Sequence, residues 1–150
     1  MSQSLAKIHL HIVFSTKNRE PMIHKSVERE LYDYMASIGN ELKCNVTKIR
    51  GTENHVHIGC CLSRTITIAA LLEEIKRSSS KWIKTKGPQF KKFAWQEGYG
   101  AFSFGESQLQ DVVRFINDQK EYHQTISFKD EFRKLLQKYN VDYDERYIWD

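Results

Sequence analysis

The sequence predicts an α+β domain in which an antiparallel sheet is combined with helices. Two patterns lead to this prediction. Short runs with a hydrophobic period of two are typical of strands, and longer runs with apolar residues three or four positions apart are typical of amphipathic helices. The 150 residues contain no repeat, linker or low-complexity stretch, which favours one domain over 1–150. We expect its core over about 5–132, with a C-terminal helix and tail over 128–150.

The first elements are a strand and a helix. In LAKIHLHIVF, apolar residues alternate with lysine and histidine, which predicts a half-buried strand. A helical pattern then runs from Val27 to Leu42, with Ser26 available as its N-cap. CNVTKIR and HVHIGCCL follow as two β-prone runs joined by GTEN, which is typical of a hairpin.

The second half repeats this alternation. A helix is predicted from Ile68 to Ile83, ending near Gly87-Pro88, and WQEGYGAFSFG is predicted as a further strand. A third helix should run from Ser107 to about His123, and a fourth from Phe128 to Tyr139. The order β-α-β-β-α-β is that of a ferredoxin-like (split βαβ), RRM-like antiparallel sheet. We expect the helices on one face of this sheet.

The composition excludes some classes of protein. The hydrophobic fraction of 40% and the charged fraction of 28% are typical of a globular chain rather than a disordered one. No apolar run approaches the roughly 20 residues that cross a bilayer, so we expect no membrane partner. The N-terminus has no clear secretory pattern. Cys44, Cys60 and Cys61 lack CxxC spacing, and a cytoplasmic protein is predicted.

One stretch is strongly basic. The range 75–96 has seven lysine or arginine residues, no acidic residue, and four interleaved aromatic residues. Such a stretch suits nucleic acid, because cations neutralise phosphates and rings stack on bases. The alternative is a solvated helix face. The candidate nucleic-acid-binding residues are Lys76, Arg77, Lys81 and Lys84.

The segment GTENHVHIGC carries a possible pair of metal ligands. Residues i and i+2 of a strand point to the same face, so His55 and His57 could bind one ion while Val56 packs in the core. Two nitrogen atoms do not complete a metal site, and further ligands would have to come from elsewhere. His9 and His11 have the same spacing, which shows that the pattern arises easily.

Several segments in order resemble one family. They are HIVFSTKNREP, HVHIGC, KRSSSKW, WQEGYGAFSF and VVRFINDQKEYHQTISFKDEF. Together they resemble the small single-tyrosine transposases of the HUH superfamily, which are carried by compact bacterial insertion sequences. The resemblance covers nearly the whole chain, up to about Phe132. This sequence has Asn54 where the family usually has aspartate before HVH.

The resemblance implies a function in DNA transposition. Such proteins cut single-stranded DNA at the foot of a hairpin, and a helix tyrosine becomes linked to the 5′-phosphate. Two histidines and a glutamine, here His55, His57 and Gln119, hold Mg²⁺ or Mn²⁺. The family also implies a homodimer with active sites shared between subunits.

The nucleophile position departs from the family pattern. The family has Tyr-Ile-x-x-Gln where this sequence has Phe115-Ile116-Asn117-Asp118-Gln119. Phenylalanine has no hydroxyl and cannot form a phosphotyrosine, so the change indicates an inactive enzyme, whether the replacement is engineered or natural. Tyr122 shares the helix face of Phe115 but lies about 10 Å further along the axis, which makes it a poor substitute.

Two other functions remain open at the level of sequence. One is a non-catalytic protein that binds single-stranded DNA or RNA through its sheet face and basic helix. The other is a histidine-based metallohydrolase. The sequence shows no clear carboxylate partner for that site, and such an enzyme would not explain the basic stretch.

Overall fold

A computed structural model describes residues 2–150 of the protein. They form four strands and five α-helices, joined by turns and short 3₁₀ segments. The elements are β1 (His9–Ser15), α1 (Lys25–Glu41), β2 (Val46–Gly51), β3 (His55–Cys61), α2 (Ile68–Ile83), β4 (Gly100–Phe104), α3 (Leu109–Asn117), α4 (Gln119–Tyr122) and α5 (Phe128–Lys138).

The sheet has the strand order β2-β3-β1-β4, and each neighbouring pair is antiparallel. Strands β1 and β2 are joined through α1 and lie on either side of β3, which is the split βαβ arrangement. The predicted ferredoxin-like α+β fold is therefore confirmed. Strands β3 and β1 are central, so side chains on both are shielded on each side by a neighbouring strand.

The first face of the sheet packs against α1 and α2. Ile12 and Phe14 of β1 and Ile58 of β3 are fully buried there, together with Leu31 of α1 and Ile75 of α2. These strand residues alternate with histidine or valine on the opposite face, as the period of two predicts. The hydrophobic periodicity of the sequence thus places this core correctly.

The second face of the sheet is also covered, which corrects the prediction of helices on one face. Val13 and Phe102 pack there against Phe132 and Leu136 of α5, and α3 lies over β2 and β3. All seven residues of β1 are buried, so the prediction of a half-buried strand was wrong. Polar residues on this face, such as His11, are enclosed by packing of a later helix and not exposed to water.

Two helix boundaries differ from the predictions. The N-cap of α1 is His24, not Ser26, and its side chain makes no capping hydrogen bond. The predicted third helix is divided at Asp118, whose φ of −95° and ψ of 21° end α3 before α4 begins at Gln119. Asparagine and aspartate have low helix propensity, which suits a break at Asn117-Asp118.

A helix cap and the state of the cysteines are further features of the fold. Thr67 caps α2, since its hydroxyl oxygen accepts a hydrogen bond from the Ala70 N–H at 3.0 Å. The three cysteines are free thiols. Among residues 2–150, the helices are too short or too polar for any of them to span a bilayer.

Candidate metal and DNA site

The histidine pair lies on the central strand β3 and points toward the helices of the second face. His55 and His57 are buried, at 1% and 0% exposure. The Nδ1 atom of His55 lies 2.9 Å from the Thr52 hydroxyl and 2.8 Å from Oδ1 of Asn54. These contacts orient the ring so that its Nε2 atom faces the interior of the site.

The helix glutamine meets this pair. Oε1 of Gln119 lies 3.0 Å from Nε2 of His55 and also 3.0 Å from Nε2 of His123. Its amide nitrogen donates to the Phe115 carbonyl at 3.3 Å, which holds the side chain against the end of α3. The structure therefore brings Gln119 to the imidazoles of β3, although the helix break at Asp118 was not expected.

A carboxylate that the sequence analysis missed completes the cluster. Oε1 of Glu131 lies 2.7 Å from Nε2 of His57 and 3.6 Å from Nε2 of His55, and Oε2 lies 3.0 Å from Nε2 of His123. One donor atom from each of these four residues falls within 4.8 Å of the others. One signal for this cluster is present in the sequence: His123 follows Gln119 by four residues, so the two side chains lie on the same helix face.

A further histidine supports this cluster from the neighbouring strand. The Nε2 atom of His11 lies 2.8 Å from Nδ1 of His57, on the side opposite to Glu131. Since His57 uses one nitrogen for each contact, His11 sets the orientation of its ring. The HxH spacing in β1 therefore has a structural consequence that spacing alone did not indicate.

Burial and charge shift the pKa values in the cluster. Burial lowers the pKa of both His55 and His11 to about 3, so both imidazoles are neutral near pH 7. Burial disfavours the ionised Glu131, but the adjacent imidazoles more than offset this and lower its pKa. For His123, burial is outweighed by the hydrogen bond and charge of Glu131, which raise its pKa.

These residues fit a divalent metal ion. Neutral imidazole nitrogens and an ionised carboxylate are ligands for divalent metals. The resemblance assigns His55, His57 and Gln119 to this role, and His123 and Glu131 are close enough to contribute. When bound, such an ion polarises a phosphate oxygen and stabilises the charge that develops on it.

The residues at and near the nucleophile position lie beside the histidines. The Phe115 ring centroid is 5.6 Å from that of His57 and 5.9 Å from that of His11. The Tyr122 ring is 5.2 Å from Phe115, closer than the axial rise of about 10 Å suggests. Burial raises the pKa of Tyr122, which favours the neutral phenol.

A pocket of about 270 Å³ opens beside the cluster, between α3 and α5. Phe115 and Tyr122 line it together with Glu131, and Lys134 and Lys138 stand at its side. Both lysines are exposed. Rings and cations around one pocket are groups that contact bases and phosphates in single-stranded nucleic acid.

The predicted basic residues of α2, and Lys84 directly after it, lie on the other side of the sheet from the histidines. Arg77, Lys81 and Lys84 are exposed, and Arg77 pairs with Glu74 on the same helix. These three side chains are available to solvent. A DNA strand in the histidine site would have to pass around an edge of the sheet to reach them.

Lys76 differs from the other three predicted residues. Its ammonium group donates to the backbone carbonyls of Gln96, Glu97 and Gly98 at 2.9, 3.1 and 2.7 Å. It also lies 4.8 Å from the ring centroid of Phe14, and burial lowers its pKa to about 8. This lysine is engaged within the protein, contrary to the expectation that it binds DNA.

The aromatic residues of the basic stretch also have structural roles. Phe90 and Phe93 are each 2% exposed and Trp95 is 8% exposed, all within the first core. Trp82 stacks on Tyr34 with ring centroids 5.2 Å apart. The interleaving of rings and cations therefore reflects helix packing and does not form a platform for bases.

The fold and the site together define a class of protein. A ferredoxin-like sheet whose central strand presents HxH to a helix glutamine is the arrangement that the resemblance to single-tyrosine transposases implies. The chain belongs to the IS200-like transposase family, since the profile described as "Transposase IS200 like" matches residues 4–119. That membership supports a role in DNA transposition. The matched region ends at Gln119, so His123 and Glu131 lie beyond it.

Two solved structures share the fold. One is described as a transposase from Deinococcus radiodurans R1, with a TM-score of 0.61 and 17% identity, covering 79% of this chain and 98% of that one. The other is a REP-associated tyrosine transposase bound to a REP hairpin, with a TM-score of 0.60 and 12% identity, covering 84% and 76%. No curated protein matches the sequence significantly.

Proposed function

We propose that this protein binds single-stranded DNA at hairpin ends during DNA transposition, with a divalent ion, Mg²⁺ or Mn²⁺, at His55, His57 and Gln119. We further propose that it does not cleave DNA through residue 115. The observation that carries this proposal is the position of Phe115, whose ring lies 5.6 Å from His57 at the place of the family's nucleophile.

The proposed DNA partner is supported by three observations. The family acts in DNA transposition, and a protein of similar fold is described as bound to a REP hairpin. In this chain, the pocket beside the histidines is lined by the rings of Phe115, Tyr122 and Tyr139 and by two lysines, Lys134 and Lys138. A phosphate near the metal ligands would meet these cations, while a base could contact Phe115 or Tyr122.

The missing hydroxyl determines the chemistry. In the family reaction, a tyrosine oxygen attacks phosphorus, the bond to the 3′ oxygen breaks, and a 5′-phosphotyrosine and a free 3′-OH result. Phe115 offers no oxygen, so that covalent bond cannot form at this residue. The side chains that remain can still bind and orient DNA. The imidazoles and Gln119 would hold the ion, and the lysines would neutralise phosphate.

Tyr122 is a second candidate nucleophile. Its ring is 5.2 Å from that of Phe115, and both line the same pocket. Attack requires the tyrosine oxygen to come within about 3–3.5 Å of the phosphorus atom. Because Tyr122 lies beside Phe115, its ability to attack can be tested directly. The neutral phenol would also need to lose its proton. Glu131 lines the same pocket and is the carboxylate that could accept this proton.

The test is formation of a covalent protein–DNA adduct. A labelled single-stranded hairpin substrate is incubated with Mn²⁺ and the unmodified protein, Phe115→Tyr or Tyr122→Phe, and separated under denaturing conditions. We expect an adduct with Phe115→Tyr alone. Adding His57→Gln to that variant should abolish it, because the metal site is then incomplete.

Other results would revise the proposal. An adduct with the unmodified protein that disappears in Tyr122→Phe would identify Tyr122 as the nucleophile. If Phe115→Tyr binds the hairpin but gives no adduct, the protein is a non-catalytic single-strand binder. Stronger binding to RNA than to DNA of the same sequence would change the proposed partner.

We retain the homodimer and the cytoplasmic location as proposals. In residues 2–150, one chain supplies every member of the histidine cluster, so sharing of sites between subunits is not needed to assemble it. Strands β2 and β4 form the edges of the sheet and are the places where a second copy could extend it.

A further inference from the structure

We infer that Cys61 is a site of covalent modification by small disulfides, with His9 as the base that takes the thiol proton and Glu106 as the residue that positions His9. Cys61 ends β3 and lies four residues, or about 13 Å, beyond His57 along the strand. The inference is independent of the proposed function, because this site uses neither the metal ligands nor the pocket beside them.

The register of the sheet brings the thiol and the imidazole together. His9 lies directly opposite Cys61 in the antiparallel pairing of β1 with β3, and side chains in such a pair point to the same face. Sγ of Cys61 lies 3.3 Å from Nδ1 of His9, a distance at which the thiol can donate to the ring nitrogen. A base within hydrogen-bond reach is what activates a cysteine nucleophile.

A carboxylate fixes the tautomer of the histidine. The Nε2 atom of His9 contacts the carboxylate of Glu106, and the ammonium group of Lys7 donates to Oε1 of Glu106 at 2.8 Å. Hydrogen bonds from Lys7 and His9 lower the pKa of Glu106, so its ionised carboxylate can only accept. Nε2 of the neutral ring therefore carries the hydrogen, and Nδ1 presents its lone pair to Cys61. Glu106 thus has the orienting role of the third member of a nucleophile, base and carboxylate group.

Packing holds the imidazole in place and leaves the sulfur accessible. His9 is 4% exposed and stacks on Phe104, with ring centroids 5.1 Å apart and planes 7° apart. Cys61 is partly exposed, whereas Cys44 and Cys60 lie in the first core at 0% and 2% exposure. A reagent in solvent can therefore reach Cys61, while the other two thiols are enclosed and serve as internal controls.

The environment of the thiol makes the base necessary. Burial raises the pKa of Cys61, and the charge of Lys7 opposes this only in part. Free thiolate, which is the reactive form of cysteine, is therefore scarce near neutral pH. A thiol of raised pKa is nevertheless the stronger nucleophile once its proton has been removed. Transfer of that proton to His9 during attack supplies this removal.

The modification is a thiol–disulfide exchange. Sγ of Cys61 attacks one sulfur of the small disulfide while the thiol proton moves to Nδ1 of His9. A new S–S bond forms at Cys61, and the S–S bond of the reagent breaks with its electron pair on the second sulfur. That sulfur takes the proton from His9 and leaves as a small thiol. Cys61 is oxidised to a mixed disulfide and the leaving half of the reagent is reduced, so no other oxidant is needed.

The experiment follows adduct formation over time. The folded protein is incubated with the neutral reagent hydroxyethyl disulfide at about pH 7, and intact mass and peptide mapping give the rate and the position. We expect a single adduct, at Cys61, and none in Cys61→Ser. His9→Gln should slow the reaction at least about tenfold, and Glu106→Gln should slow it less, because it acts through His9. Glu41→Gln, a matched exposed position on α1, should leave the rate unchanged.

The pH profile separates proton transfer from a structural role of His9. In the unmodified protein the rate should rise by much less than tenfold per pH unit between about pH 7 and 9, because His9 accepts the proton. In His9→Gln the rate should rise about tenfold per pH unit, because reaction then follows free ionisation of a thiol whose pKa is raised. A histidine that only supported the fold would leave this slope the same in both proteins.

Several outcomes would overturn the inference. They are equal rates in His9→Gln, Glu106→Gln and Glu41→Gln, a first adduct at one of the two buried cysteines, and no adduct with the unmodified protein. If His9→Gln does not fold, as judged by circular dichroism, the rate of Glu106→Gln and the pH slope of the unmodified protein decide.

Discussion

Oε1 of Glu131 lies 2.7 Å from Nε2 of His57, although the two residues are 74 positions apart in the sequence. This contact joins the first turn of α5 to the central strand β3. It places a buried carboxylate beside His55 and His57, for which the sequence shows no clear carboxylate partner. The stability of α5 on the sheet and the chemistry of the site are therefore coupled, and several measurable consequences follow.

The stability of the protein should decrease in acid. His55 and His11 have pKa values near 3 in the folded protein, whereas the unfolded value is about 6.5. The unfolded chain therefore binds more protons between these values, and each histidine reduces stability by about 1.4 kcal/mol per pH unit as the pH falls. The lowered pKa of Glu131 acts in the same direction below its usual value. The raised pKa of His123 acts in the opposite direction.

Urea unfolding from about pH 7 to 4 measures this dependence. His11→Gln should reduce the slope by about one proton, because its buried neutral imidazole is removed. His24→Gln serves as the control, since His24 is exposed at the start of α1. An unchanged slope in His11→Gln would show that His11 titrates normally in the folded protein.

Replacement of Lys76 by methionine should destabilise the protein. The change keeps the apolar stem but removes the donor to three carbonyl oxygens. Loss of charge-assisted hydrogen bonds at a half-buried position should cost about 1.5–3 kcal/mol. The measurement is the free energy of unfolding in urea, with Arg77→Met as a matched exposed control that should change it little. Equal effects of the two variants would contradict the assigned role of Lys76.

DNA affinity should depend on exposed cations near the site and on salt. Lys134→Gln with Lys138→Gln should weaken hairpin binding and reduce the salt slope by about one for each phosphate that is no longer neutralised. The measurement is titration of labelled hairpin DNA between roughly 50 and 200 mM salt. The comparison variant combines Arg77→Gln, Lys81→Gln and Lys84→Gln on the other face. A larger decrease in affinity in this triple variant would place the DNA on the α2 side, and no salt dependence would exclude both surfaces.

The protein should form a homodimer in solution. The edge strands β2 and β4 carry backbone groups that a second copy could pair with, and twofold closure is the commonest symmetry. Light scattering at about micromolar concentration should give twice the chain mass. A mass of one chain under these conditions would count against both the dimer and the sharing of sites.

The sequence by itself determined the order of the elements and the strand face that carries the histidines. Hydrophobic periods of two and of three to four residues are local, and His55-Val56-His57 can place its imidazoles only on one face of a strand. The ordered segments also identified the family and drew attention to Phe115. These inferences depend only on residues that are close together in the sequence. The main errors at this local level were the helix break at Asp118, which was not predicted, and the N-cap of α1, which lies at His24 rather than at the predicted Ser26.

The tertiary structure alone decided what surrounds those residues. That α5 covers the second face, that Glu131 reaches His57, and that Lys76 faces carbonyl oxygens all depend on packing between distant segments. The same alternating pattern is compatible with a strand face that is open to water and with one that is buried under a later helix. Periodicity shows which residues are polar, but not which segment packs against them. Long-range burial selects the partner, and it determined which polar residues of this chain meet in one site.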